Sequence, residues 1–279
     1  MNTLQQCTPA RLHHLQIVSE RPETMVEFYQ RMLDLRIVEM RADSTVLAGP
    51  ARAMIIRRSG GGSEPHYGYA MTDASALEAL KQQLSGHDLS YEMINDPLFA
   101  SGAIVITDPQ GRRLAFGVPV QSDDYTGPPA RLQHTVFQTT DLDNVVRFYV
   151  EKVGFTISDE VIDADGTIMV VFMRSDGEHH TLAFFRGSSN EWDHHCYETS
   201  EWNDIRDWGD RFAAAEVPIF FGPGRHGPGN NLFFMVTDPD GNRLEFSAEL
   251  ERVPADKPPG VWPQSERTLN SWGRAWIRS

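Results

Sequence analysis

Cysteine is nearly absent: Cys7 and Cys196 are the only two in 279 residues. Two thiols outside any CxxC spacing build neither a disulfide framework nor a thiolate metal site. Both are expected to be reduced, in a reducing compartment, and any metal must be held by histidine and carboxylate. Positive charge is also in deficit. With 25 Lys+Arg against 39 Asp+Glu the formal net charge is −14, which repels a nucleic-acid backbone or an anionic membrane and excludes both as expected partners. No apolar run reaches the length of a membrane span, and the opening MNTLQQCTPARLHH lacks the basic-then-apolar order of a secretory leader, so a cytoplasmic location is expected. The remaining composition is that of a globular protein, long enough for one large or two modest domains.

What the chain has in abundance is internal repetition. Leu12-His13-His14-Leu15 leads into Pro22–Tyr29 as Leu132-Gln133-His134-Thr135 leads into Asp143–Tyr149, with His14 as far before Phe28 as His134 is before Phe148. Each unit reads as an alternating strand followed by an amphipathic helix. A second kind of unit ends each half: Thr107-Asp108-Pro109-Gln110-Gly111 and Thr237-Asp238-Pro239-Asp240-Gly241 are turns that feed Arg113–Phe116 and Arg243–Phe246 as strands. Four such units, two per half, flank the Pro-rich linker 121–130. The expected domains are 1–120, 131–251 and a C-terminal tail, 252–279.

Three residues of the second half, His134, His195 and Glu245, fall on strands at repeat-related places. His195 precedes Asp204 by the same distance as His134 precedes Asp143. Strand alternation lets the two imidazoles and the carboxylate face one cleft, and two histidines with one carboxylate leave coordination positions open, the arrangement that binds Fe(II), a substrate and O₂ together. The alternative is two satisfied core polar groups and a surface glutamate. The first half keeps His14 and His66 but has Ala115 where the second has Glu245, so the catalytic metal is not expected there. His13 and His194, each preceding a repeat-aligned histidine, are expected on the opposite strand face, in solvent or as supporting residues. His180, with Leu182 and Phe184 on one face of an expected strand, is read as an acid/base group lining the cleft. His226 lies in the Gly/Pro-rich loop Gly222–Asn231, which permits close approach of the backbone to a ligand.

The segments LQHTVFQTTDLDNVVRFY, EHHTLAFF, DHHCYET and GPGRHGPGNNLFFMVTDPDGNRLEF together resemble type I extradiol ring-cleaving dioxygenases of the vicinal oxygen chelate superfamily, over nearly the whole chain. The resemblance implies an α+β, two-domain fold of four βαβββ modules, whose curved mixed sheets surround a metal cleft. It implies His134, His195 and Glu245 as metal ligands, His180 as the family's active-site histidine, and His226 as the histidine that holds the substrate oxygen. The implied cofactor is Fe(II), with Mn(II) as the other ion; the implied partners are an aromatic diol and O₂, in a homo-oligomer. Met235 stands where such enzymes carry a tyrosine, which removes a hydroxyl donor beside the substrate and leaves room for a bulkier apolar one. Met235, Phe172 and Phe184 are the expected pocket residues. A non-oxidative metal-dependent isomerase or hydrolase, and a non-catalytic binder of aromatic ligands, are the other readings. The aromatic tail, Val253 through Ile277, is expected to pack over the cleft mouth or against another subunit.

Overall fold

The computed structural model describes residues 8–60, 65–120 and 129–275. Cys7, most of the Pro-rich linker and the tail residues Trp276 and Ile277 lie outside them.

The first half contains β1 (Ala10–Ser19), α1 (Pro22–Leu33), β2 (Arg36–Met40), β3 (Ser44–Gly49), β4 (Arg52–Arg58), β5 (His66–Met71), α2 (Ala74–Gly86), β6 (Glu92–Met93), β7 (Ile104–Thr107) and β8 (Arg113–Gly117). The second contains β9 (Arg131–Thr139), α3 (Leu142–Arg147), which continues into a π-helical turn at Phe148–Val153, β10 (Thr156–Ile162), β11 (Ile168–Arg174), β12 (Leu182–Arg186), β13 (Trp192–Thr199), α4 (Trp202–Ala214), β14 (Phe221–Arg225), β15 (Leu232–Thr237) and β16 (Arg243–Ala248). The tail adds β17 (Gly260–Pro263) and α5 (Glu266–Leu269). Each half is thus two βαβββ modules, as the resemblance implied.

One sheet runs β2-β3-β4-β1-β5-β8-β7-β6 and the other β14-β15-β16-β13-β9-β12-β11-β10-β17. The opening strands of the two modules meet antiparallel at the centre of each sheet, β1 with β5 and β9 with β13. The helices form where the apolar spacing and caps dictate. Pro22 starts α1, which buries Met25, Tyr29, Met32 and Leu33. A reciprocal capping box of Glu201 and Asp204 starts α4, which buries Ile205, Trp208 and Phe212.

The halves are joined crosswise. Tyr29 of α1 donates to Asp238 in the second half's turn (3.0 Å), and Tyr149 of the π-helical turn donates to Asp108 in the first half's turn (3.2 Å). Arg52, 2 % exposed, donates to the carbonyls of Leu33 and Ala130.

One strand differs from expectation. The segment before β12 is irregular at His179–Thr181, so His180 does not alternate in phase with Leu182 and Phe184. Phe184 is fully buried in the core against Phe137 and Tyr149, and is not a pocket residue. The strand begins only at Leu182, so the irregular residues before it shift the phase, and it is Ala183 and Phe185 that share the cavity with His180.

Candidate metal centre and active-site cavity

A cavity of about 390 Å³ opens within the second sheet, a size typical of small-molecule sites. Its walls are mainly apolar, with Val136, Val161, Val170, Phe172 and Met235 among them, and its polar residues include His134, His180, His194, His226 and Glu245. The tail contributes Gln264, Ser265, Thr268 and Leu269, so it packs over this cleft.

Glu245 is the focus. On β16 it pairs with Met235 of β15, and its carboxylate is 1 % exposed. Three imidazoles turn their Nε2 atoms towards it: His194 at 3.2 Å and His134 at 3.8 Å from Oε2, and His226 at 3.7 Å from Oε1. Asn231 donates to Oε1 at 3.2 Å. Burial pushes the Glu245 carboxyl up, but the facing imidazoles more than offset it, and its pKa lies well below the usual range. A fully buried carboxylate is therefore ionised.

The far nitrogen of each imidazole is fixed by an oxygen that can only accept. His134 Nδ1 donates to Gln133 Oε1 (2.5 Å), His194 Nδ1 to Asp193 Oδ1 (2.5 Å) and His226 Nδ1 to the Leu269 carbonyl (2.5 Å). The Gln133 amide is itself oriented, because its Nε2 donates to the His180 carbonyl and to Glu178. Protons held on Nδ1 leave Nε2 to face the carboxylate, the outer-sphere arrangement that prepares histidine for a metal. Desolvation holds His134 down at about 3, so its ring is neutral. Desolvation also lowers His194, but its hydrogen bonds to the Asp193 and Glu245 carboxylates prevail and its pKa is raised, so a metal there would displace a proton. The donor set fits a divalent first-row ion.

His195, expected as a ligand, is not part of this cluster. It lies on the opposite face of β13, stacked on Trp192 (5.0 Å between centroids) and edge-on to Tyr197, with neither ring nitrogen hydrogen-bonded among the described residues. Desolvation holds it down at about 3, and it behaves as a neutral core ring. His194 occupies the place instead. The reason is register. Counting to an acidic residue in the next helix equated His195 with His134, but Asp143 and Asp204 occupy the second and third helical positions respectively. Counting to the N-cap aligns all four modules, since His14 to Arg21, His66 to Asp73, His134 to Asp141 and His194 to Glu201 are each seven residues. Cys196, on the same face as His194, also comes within 4.8 Å of ligand atoms of His134 and Glu245. Its thiol donates to Ser247 and burial pushes its pKa well up, so it stays protonated and is the poorer donor.

His180 lies 4.3 Å from His134, centroid to centroid, and 5.1 Å from Phe172. Desolvation and the neighbouring imidazoles hold its pKa well below the ordinary value. Its Nδ1 is 3.0 Å from His179 Nδ1, and His179 Nε2 in turn lies 3.0 Å from Asp159, which also accepts from Trp262 of β17 at 2.6 Å. His226 stacks on Phe233 at 3.8 Å. The cavity thus brings together six of the eight expected residues, His134, Glu245, His180, His226, Met235 and Phe172, and omits His195 and Phe184. Beyond His194, the sequence reading missed Gln133, Asp193 and Asn231, which carry no repeat signal because they serve one half only.

The architecture and the histidine–carboxylate centre together define a paired-module α+β protein with an open metal-type site. Residues 131–246 match the family model described as Glyoxalase/Bleomycin resistance protein/Dioxygenase superfamily. That match lies in the second half; over nearly the whole chain the fold is that of solved dioxygenase and glyoxalase structures. It is similar to metapyrocatechase 2 of Cupriavidus necator, with 30 % identity over 169 residues, which are 59 % of this chain and 50 % of the relative. The chain spans about half the length of the curated relatives it matches. Among solved structures it resembles homoprotocatechuate 2,3-dioxygenase from Arthrobacter globiformis (TM-score 0.81, 22 % identity, covering 97 % of this chain and 90 % of that one). It likewise resembles a Mn(II)-bound glyoxalase from Novosphingobium aromaticivorans (TM-score 0.77, 21 % identity, 96 % and 91 % covered).

Proposed function

We propose that this protein is a non-haem extradiol dioxygenase that opens the ring of a catechol-type substrate with O₂, using a divalent metal held by His134, His194 and Glu245. The carrying observation is the ionised, buried Glu245 faced by imidazoles whose Nδ1 atoms are already committed. The similarity to metapyrocatechase 2 supports the ring-cleaving reading. Fe(II) is the proposed ion and Mn(II) the alternative, since histidine and carboxylate donors suit both.

When bound, the metal would supply Lewis acidity towards adjacent substrate oxygens and a meeting point for substrate and O₂. The protein does the rest. His180, uncharged and against the His134 ring, is placed to take a proton from a substrate hydroxyl and return it later in the reaction. His179 contacts the far side of that ring, fixing its orientation. His226 presents Nε2 to the cavity and holds a substrate oxygen. The apolar wall excludes water and accepts the aromatic ring. Met235 offers no hydrogen-bond donor beside Glu245, and favours a catechol with an apolar substituent.

The similarity to a glyoxalase gives a second reading, a non-oxidative reaction that uses the metal only as a Lewis acid. O₂ uptake separates the two. Anaerobically reconstituted Fe(II) protein should consume O₂ with a small panel of catechols; turnover of another substrate class without O₂ uptake, or with Zn(II) in place of Fe(II), would establish the second reading instead.

A further inference from the structure

The first half contains its own convergence of donors. His14 Nε2 and His66 Nε2 are 3.3 Å apart, and Asp96 Oδ2 lies 3.1 Å from the first and 2.8 Å from the second. The side chains of His14 and Asp96 are 0 % exposed and that of His66 10 %. Ligand atoms around an ion at about 2.0–2.1 Å lie roughly 3 Å from one another, so one point outside the triangle can be at bonding distance from all three.

The surroundings prepare these atoms. Asp96 Oδ1 is engaged by the Leu98 amide at 2.8 Å, which leaves Oδ2 for the two imidazoles. His14 Nδ1 is 3.0 Å from His13 Nδ1, so the His13 ring is placed to accept the His14 Nδ1 proton and leave Nε2 bare. Gly68 makes room for His14, since a Cβ there would lie 2.2 Å from the imidazole. The repeat explains the third donor. Asp96 precedes Ala115 by nineteen residues, as His226 precedes Glu245, so the acid has moved from the last strand to the loop position.

We propose that His14, His66 and Asp96 form a second metal site, which takes a divalent first-row ion of the Zn(II) type in a structural role. The site is closed. Phe99 packs 4.8 Å from His14 and against Gly117, filling the side on which the second half has its cavity. Three protein donors leave a fourth position, but Phe99 walls it off from substrate, so the ion's role is structural rather than catalytic.

Co(II) titration of the chelator-stripped full-length protein tests this, with bound metal counted by elemental analysis and visible absorption. Wild type should bind about two equivalents, Glu245→Ala about one, Asp96→Asn about one, and the double variant none. In the Glu245→Ala background Co(II) should still raise Tm, and anomalous scattering at the cobalt edge should place an ion between His14, His66 and Asp96. A wild-type stoichiometry of one that Glu245→Ala abolishes, with no anomalous peak in the first half, would overturn the proposal and leave Asp96 as the acceptor of two imidazole N–H bonds. Should Asp96→Asn not fold, the peak and the Glu245→Ala count decide. Loss of metal in Asp96→Asn but not in Glu245→Ala would uphold this site and refute the second-half centre.

Discussion

The two halves start from one pattern and diverge around the paired histidines. His14 and His66 correspond to His134 and His194, but the second half has Glu245 where the first has Ala115, His226 where it has Asp96, Met235 where it has Val105, and His180 where it has Arg52. In the second half these side chains surround an open, mainly apolar cavity. In the first, Arg52 is spent on the carbonyls of Leu33 and Ala130, Phe99 fills the space, and Asp96 closes the histidine pair. The difference teaches that the sheet provides the paired histidines in either half, whereas reactivity depends on where the acid enters and whether a neighbour leaves room for substrate.

The largest test exchanges the faces of β13. His194→Ala should abolish metal binding at the second-half centre and with it O₂ uptake, a loss beyond the roughly 10–100-fold that removal of an outer-sphere partner costs. His195→Phe, on the buried face, should retain metal. Full metal occupancy in His194→Ala with loss in His195→Phe would reverse the assignment.

Next in size is the position at which the halves differ as His180 and Arg52. His180→Phe should keep metal and substrate binding yet lower kcat by about two to four orders of magnitude. Near-normal turnover would remove His180 from the chemistry. Asp193→Asn should weaken metal affinity by about 10–100-fold, because the Nδ1 proton of His194 loses its charged acceptor, and equilibrium dialysis measures it.

Met235→Tyr restores a donor next to Glu245. A hydrogen bond to a charged oxygen contributes about 1.5–3 kcal/mol, opposed by crowding, so kcat/KM for unsubstituted catechol should rise relative to a catechol with a bulky substituent. An unchanged ratio would show that the side chain at 235 does not meet substrate.

The smallest effect concerns Glu198, which pairs in register with Ser247 where the first half has Ala70 beside Gly117. Burial pushes Glu198 up to about 7, with hydrogen bonds from Ser247 and the Leu250 amide opposing it. The folded state therefore binds the proton more tightly than the unfolded chain does. The stability this contributes is fully present below about pH 4.5 and is lost as pH rises through about 7, each pH unit between costing up to about 1.4 kcal/mol. Glu198→Gln should raise Tm at pH 8 and change it little at pH 5; equal shifts at both would refute the titration.

The module count and the sheet class were legible because the repeat spans whole elements, and hydrophobic alternation survives small errors of alignment. The site was less legible because a one-residue error moves a strand side chain to the other face. DHHC offers two adjacent histidines, and only the helix cap, a backbone landmark, sets the phase. The Glu178–Thr181 segment misled differently: His180 lines the cavity, but alternation does not run through residues that are not extended, so Phe184 does not follow it there. Asp96 gave no signal of its own, since it stands in the repeat where the other half has a histidine.

The crossed tyrosine bonds have a consequence for how the molecule comes apart. Tyr29 holds the Asp238 turn that leads into the strand bearing Glu245, and Tyr149 holds the Asp108 turn of the other half. Each half therefore supplies a buried donor that the other's hairpin lacks. Two polypeptides ending and beginning between the halves should reassociate when mixed, and calorimetry of the intact chain should record one cooperative melting event instead of two.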